Sequence, residues 1–254
     1  MIAFFVVLFA WFFQSITGFG AGIFIIGILS IFYDPKMVIV YSALFNLLGT
    51  IGLIYQNRKG KIEYYLLLSL ILGSVPGIFL GAYVLDRINT KELIFVVAGF
   101  ISLLGLYDLA VYKGWLKLRI GRHMGVPVGF LGGFFAGLVG MGGPPPLVFL
   151  TQHLRDPSSI RLMLNLFFTS NIIFRLSFYN YMDVVSLDVS FLMAGLLGLL
   201  AGTLLGDLFA KKISANQYRA SVPYMIIILG FVITGRSLEM NLQGLWRRGP
   251  QKGL

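Results

Sequence analysis

The chain has 254 residues, 57% of them hydrophobic and 12% charged, with a mean hydropathy of +0.86. A soluble domain carries about a quarter charged residues, so that class is excluded. The formal charge of +10, from 20 Lys and Arg against 10 Asp and Glu, sits mostly between apolar stretches and reads as topology-setting loops beside anionic lipid, not as a nucleic-acid footprint. With no Cys, disulfides, thiolate metal sites and thiol catalysis are excluded too.

Apolar runs of about 20 residues are long enough to cross ~30 Å of hydrocarbon. In chain order they are a segment over 2–32 broken at Gly18–Gly22, segments over 37–55, 62–85 and 92–112, a second broken segment over 125–154 interrupted at 140–146, and segments over 158–180, 184–209 and 216–235. Turn-forming or basic stretches separate them: Asp34-Pro35, Gln56–Lys61, Asp86–Lys91, Lys113–His123, Asp156-Pro157, Asn180–Asp183 and Lys211–Ser214. The first 14 residues lack a basic n-region and a small-residue cleavage site, so they read as mature structure and not as a signal peptide. The expected molecule is an all-α polytopic protein of the cell membrane.

The second half repeats the first. Gly140 and Gly18, Gly142 and Gly20, Asp156 and Asp34, and Pro157 and Pro35 are each 122 positions apart. Further on the offset becomes 125, relating Asn46 to Asn171, Glu63 to Asp188, and Gly73, Gly77 and Gly81 to Gly198, Gly202 and Gly206. The chain divides accordingly into a first repeat (1–112), a basic linker (113–124), a second repeat (125–235) and a polar tail (236–254). Each repeat opens with a broken segment followed by three transmembrane helices. Glycine at every fourth position lines one helix face, which lets membrane helices approach closely. The third and seventh segments are therefore expected to be central packing helices, possible partners of one another.

Broken helix at membrane depth is tolerated only where the freed backbone is buried in protein or lines a cavity, and paired breaks in two repeats point to a transporter's binding site. A single straight helix over 2–32 would be ~46 Å long, too long for the hydrocarbon core without a steep tilt. Pro144-Pro145-Pro146 forbids continuous helix but suits the first turn of a new one. Such an N-terminus favours an anion. Gln14, Ser15, Thr17, Gly18 and Gly20 at the first break, and Gly140, Gly142, Gly143 and Gln152 at the second, are the resulting substrate-site candidates. The plainer reading of the glycines is a tight hairpin turn.

Re-entrant hairpins at both breaks would make the repeats inverted. One side would then carry Arg58, Lys59, Lys61, Lys113, Lys117, Arg119, Arg122, Arg155, Lys211 and Lys212, against Lys36, Arg87 and Lys91 opposite. The basic side is then cytoplasmic by the positive-inside rule and the tail, with Arg236, Arg247, Arg248 and Lys252, is outside; full spans at both breaks are the alternative arrangement.

Arg175 lies inside the sixth segment, one turn after Asn171 on the same face. Its guanidinium suits an oxyanion; alternatively it snorkels to the interface. Asn46 and Asn171 face the interior as substrate ligands or as interhelical glue. Asp108 and Asp207 are candidate carriers of a coupling proton, or ordinary interfacial charges. No nucleotide-binding, hydrolytic or metal-ligand motif is present, so neither an enzyme nor a cofactor is expected.

The segment Gly18-Phe19-Gly20-Ala21-Gly22 with Asp34-Pro35, and the segment Ala136-Gly137-Leu138-Val139-Gly140-Met141-Gly142-Gly143-Pro144-Pro145, resemble the paired glycine motifs of the TauE/SafE family of sulfite-exporter-like membrane proteins. The resemblance covers essentially the whole chain. Ala21 is a departure from the glycine-rich run of such motifs. The resemblance implies a secondary transporter or facilitator of a small sulfur-containing anion, sulfite or an organosulfonate, and the paired breaks would hold it near the midplane. A passive anion channel and a membrane scaffold without a substrate are the competing classes.

Overall fold

The computed structural model describes residues 1–17, 20–115, 119–181, 188–210 and 235. Gly18, the expected segment over 216–234 and the tail from Arg236 lie outside them. Among the described residues every element is helical: α1 (Ile2–Thr17), α2 (Ala21–Leu29), α3 (Pro35–Gln56), α4 (Tyr64–Arg87), α5 (Thr90–Tyr112), a 3₁₀ turn (Arg122–Met124), α6 (Gly125–Val139), α7 (Pro144–His153), α8 (Pro157–Tyr181) and α9 (Val189–Ala210). Five of these, α3, α4, α5, α8 and α9, contain stretches long and apolar enough to cross a membrane. The protein is thus a multi-pass membrane protein.

Helix starts follow their local chemistry. Asp34 caps α3 by accepting from the Lys36 and Met37 amides, with Pro35 at the first helical position, where a missing N–H costs nothing. Asp156 accepts from both the amide (2.9 Å) and the hydroxyl (2.6 Å) of Ser159 ahead of α8. Those bonds hold its carboxyl below the usual carboxylate range. The cap therefore persists above that range and is lost as pH falls through the lowered value.

Across the two breaks, α1 lies against α2 and α6 against α7. The Phe24 ring of α2 lies 5.3 Å from Phe13 and 5.7 Å from Phe9 of α1, a contact that a continuous helix would forbid. On the other pair, the Ile120 amide ahead of α6 donates to Gln152 Oε1 near the end of α7 at 2.8 Å. The same end of the bundle carries the Lys61 amide bonded to Ser159 (2.8 Å) and the Arg122–Glu63 pair (3.2 Å). At the opposite end Lys36 Nζ donates to the Asp86 carbonyl (2.8 Å) and Thr90 to Asp34 (2.9 Å).

The glycine faces do not meet each other, as the possible pairing of the third and seventh segments would require. Instead α4 packs along α6, and α9 along α1, while α3 packs on α8. A Cβ on Gly77 would sit 2.3 Å from the Phe130 carbonyl oxygen of α6, and one on Gly202 2.3 Å from the Leu8 carbonyl oxygen of α1. Each long glycine-faced helix thus buries the polar backbone of a half-helix, which apolar lipid could not solvate.

Gly77→Ala and Gly202→Ala should each destabilise the protein by about 1–3 kcal/mol, the range for forced overpacking. Gly52, whose added Cβ would meet nothing within 4 Å, should accept Ala without loss. Thermal unfolding in detergent reads the difference, and equal midpoints for all three variants would contradict the packing account.

Candidate functional site

A cavity of about 80 Å³ lies where the two breaks face each other. A water needs about 10–15 Å³ by this measure, so the space suits several waters or one anion of a few heavy atoms. Its walls include Gly20 and Gly22 from the first break, Gly140–Pro144 from the second, and Asn46, Thr50, Phe168, Asn171, Ile172 and Arg175 from α3 and α8. Asn46 and Asn171 each lie ten or more residues from the nearer end of their helix, ~15 Å of helix rise. The cavity therefore lies near the middle of α3 and α8.

The turns are built from glycine for a steric reason. Gly20 has φ +109° and Gly140 φ +74°, the left-handed region that costs other residues about 1–2 kcal/mol. Gly140 ends α6, its amide returning to the Ala136 carbonyl at 3.1 Å while Met141 returns to Phe135 at 3.3 Å. At the first break, Gln14 Oε1 accepts the Ala21 amide at 2.7 Å, so a buried side chain caps α2 from the preceding half-helix.

Arg175 is 2% exposed, so it does not snorkel. Its Nη1 donates to the Ala136 carbonyl at 2.9 Å, and its guanidinium carbon lies 5.9 Å from the centre of the Tyr179 ring. Tyr179 in turn donates to the Gly137 carbonyl at 2.5 Å. Both side chains of α8 thus hold the otherwise open carbonyl end of α6, where a cation also meets the negative end of the helix dipole. Arg175 Nε is buried without a hydrogen-bond partner. Among the described residues no carboxylate pairs with it; the ion pair they form is Arg122–Glu63, at the surface.

Asn171 is 3% exposed. Its Oδ1 accepts from Ser74 of α4 at 2.7 Å, which leaves Nδ2 buried and unpartnered beside the cavity. The O and N of this amide are assigned from that network. Asn46 Oδ1 is likewise buried without a partner. An unmet buried donor costs about 1–3 kcal/mol; Asn171 Nδ2 and Arg175 Nε are such donors and suit an acceptor-rich, negatively charged guest, whereas Asn46 Oδ1 is an acceptor.

Eight of the twelve sequence-predicted site residues line this one cavity: Gln14, Gly20, Asn46, Gly140, Gly142, Gly143, Asn171 and Arg175. Gly18 and the Thr17 side chain lie outside the described residues. Ser15 turns instead toward α9, where its Cβ crowds Gly206. Gln152 is exposed and bound to the Ile120 amide, on the return helix well away from the break. Asp207 is also remote, accepting from Gln56 at 3.1 Å near a helix end, and the Asp108 side chain is not described. Sequence reasoning missed Thr50, Ser74 and Tyr179. Tyr179 was within reach, one turn beyond Arg175 on the same face.

The helix N-terminus at the second break differs from the expectation. Pro144, Pro145 and Pro146 occupy the first three helical positions and have no N–H, and the Leu147 amide bonds to the Gly143 carbonyl at 3.1 Å. This end contributes its dipole without amide donors from its first turn. Arg175 Nε and Asn171 Nδ2 are buried side-chain donors without a partner beside it.

Helices broken at mid-depth around a buried, cation-bearing cavity define a membrane protein with an internal polar site. The sequence profile of the family described as sulfite exporter TauE/SafE matches residues 3–233, and the chain belongs to that family. It is 25% identical over 161 residues, 62% of this chain and 63% of the relative, to the probable sulfite/organosulfonate exporter TauE of Cupriavidus necator. It is 31% identical over 98 residues, 37% of this chain and 39% of the relative, to the probable membrane transporter protein YjnA of Bacillus subtilis. The matches thus span less than two thirds of either relative. No solved structure matches.

Tyr179→Phe should leave the Gly137 carbonyl without its donor and lower stability by about 1–3 kcal/mol. Chemical denaturation in mixed micelles measures this, and a wild-type midpoint would mean the hydroxyl does not support the end of α6.

Proposed function

We propose that the protein is a secondary transporter or facilitator that moves a small sulfur-containing anion, sulfite or an organosulfonate, through the cavity between the two breaks. One observation carries the anion reading. Arg175 is buried at depth without a carboxylate partner and lines a cavity of anion size. A charge in that setting demands compensation, and a bound anion supplies it. Sulfur enters from the printed name of the Cupriavidus necator relative. Gln14, Gly20, Gly140, Gly142, Gly143 and Asn46 shape the site in this reading, while Asn171 and Arg175 donate to the guest. A coupling proton has no candidate carrier among the described residues that line the cavity.

The inverted-repeat arrangement belongs to the same proposal, with repeats over 1–112 and 125–235. It is supported by the folded-back pairs α1–α2 and α6–α7, and by the exchange of partners in which α4 packs on α6 and α9 on α1. The loop at 57–63 contacts both residue 122 and residue 159, which fits a re-entrant α6–α7 pair that returns to its side of entry. That side carries Arg58, Lys59, Lys61, Arg119, Arg122 and Arg155, and is cytoplasmic under the positive-inside rule.

Proteoliposomes carrying the purified chain should exchange labelled sulfite or an alkyl sulfonate. Arg175→Gln should weaken that anion by on the order of 10- to 100-fold, the loss of a charged hydrogen bond at depth. Flux of none of these anions would sink the proposal. Accumulation that collapses with a protonophore identifies a coupled transporter; its absence identifies a facilitator or channel. A reporter fused after Leu254 should be extracellular, and a cytoplasmic reporter would contradict the hairpins.

A further inference from the structure

We infer that the site sorts anions by valence, accepting singly charged ones and rejecting dianions of the same shape. The inference rests on the anion reading above and adds the charge that the guest must carry: of the two forms of sulfite, the singly charged hydrogensulfite and not the dianion.

Charge accounting at the cavity yields a single positive unit. Of its lining residues only Arg175 is ionised. The breaks bring two helix N-termini, of α2 and α7, and two C-termini, of α1 and α6. Each end is equivalent to about half a charge, so the two signs cancel. Three prolines strip α7 of the amides that could have gathered around extra negative charge. Gln14 already spends its carbonyl oxygen on the first amide of α2. The other polar side chains in the wall, Asn46, Asn171 and Thr50, are neutral. A monoanion leaves the cavity neutral, whereas a dianion buries one uncompensated charge at mid-depth.

The repeat explains why there is one cation and not two. The 125-residue offset that relates Asn46 to Asn171 also relates Thr50 to Arg175. Thr50 is buried and lines the same cavity. Its hydroxyl donates to the Asn46 carbonyl at 2.8 Å and accepts from Thr169 at 3.1 Å. The first repeat therefore places a neutral hydroxyl where the second places a guanidinium. Arg at position 50 would restore the symmetry and double the charge.

Methanesulfonate and sulfate share a tetrahedral sulfur and differ by one charge, so they isolate valence from shape. Isothermal titration of the full chain in lipid nanodiscs with the two sodium salts, at equal ionic strength, should give sulfate a dissociation constant at least about 100-fold larger, the scale for one unpaired buried charge. Thr50→Arg should shrink that ratio by about tenfold or more, since a second cation at close range favours the dianion. Sulfate binding as tightly as methanesulfonate, or an unchanged ratio in a Thr50→Arg protein with the wild-type thermal transition, overturns the valence rule and leaves the anion site standing. Binding of neither anion overturns both.

Discussion

Four helix ends, those of α1, α2, α6 and α7, lie at the two breaks beside the cavity, and everything around them answers one constraint: hydrocarbon cannot hydrogen-bond an open peptide group. The carbonyl end of α6 is closed from three directions, by its own Gly140 and Met141 amides, by Arg175 and by Tyr179. The amide end of α7 is closed by removal, because three prolines carry no N–H. At the amide end of α2, Gln14 reaches across the break to the Ala21 amide. A residue that would be hard to justify in a membrane core, a guanidinium without a carboxylate, follows from the same need. It is held in place by backbone, not by an acid, so its charge stays available to a guest.

The surrounding helices shield these half-helices. Gly77 against Phe130 and Gly202 against Leu8 bring backbone to backbone, leaving no room for lipid beside the half-helices. The two sides are not equivalent. Gly129, Gly133 and Gly137 give α6 a small face of its own against α4, whereas the positions 122 residues earlier, in α1, are Val7, Trp11 and Ser15. The same asymmetry reaches the cavity, where Thr50 and Arg175 occupy related positions with different charge. Among the described residues, the only charged residue in the cavity wall thus comes from the second half of the chain.

Much of this was legible in the sequence. Among the described residues, segment limits were recovered to within a few residues because apolar runs, Asp34-Pro35 and Asp156-Pro157 mark helix bounds by local chemistry. The breaks at Gly20 and Gly140 were legible because glycine and proline act on their own backbone. Partner choice was not: a glycine face says that something approaches closely, not what, and α4 chose α6 over α9. Nor was the orientation of side chains next to a turn, which is why Ser15 faces α9 and Gln152 reaches solvent. Arg175 lies six residues from the end of α8, near enough to snorkel on length alone. Carbonyls at 136 and 137, contributed by another helix, keep it inside.

The central claim is that the Arg175 guanidinium is the counter-charge of the bound anion. Dipolar recoupling by solid-state NMR, between ¹⁵N-labelled arginine and ¹³C-methanesulfonate on the protein in lipid, measures that contact directly. Dephasing of the methyl carbon that disappears in Arg175→Gln is the result expected from this structure. Methanesulfonate that is bound and transported without any such dephasing would contradict it.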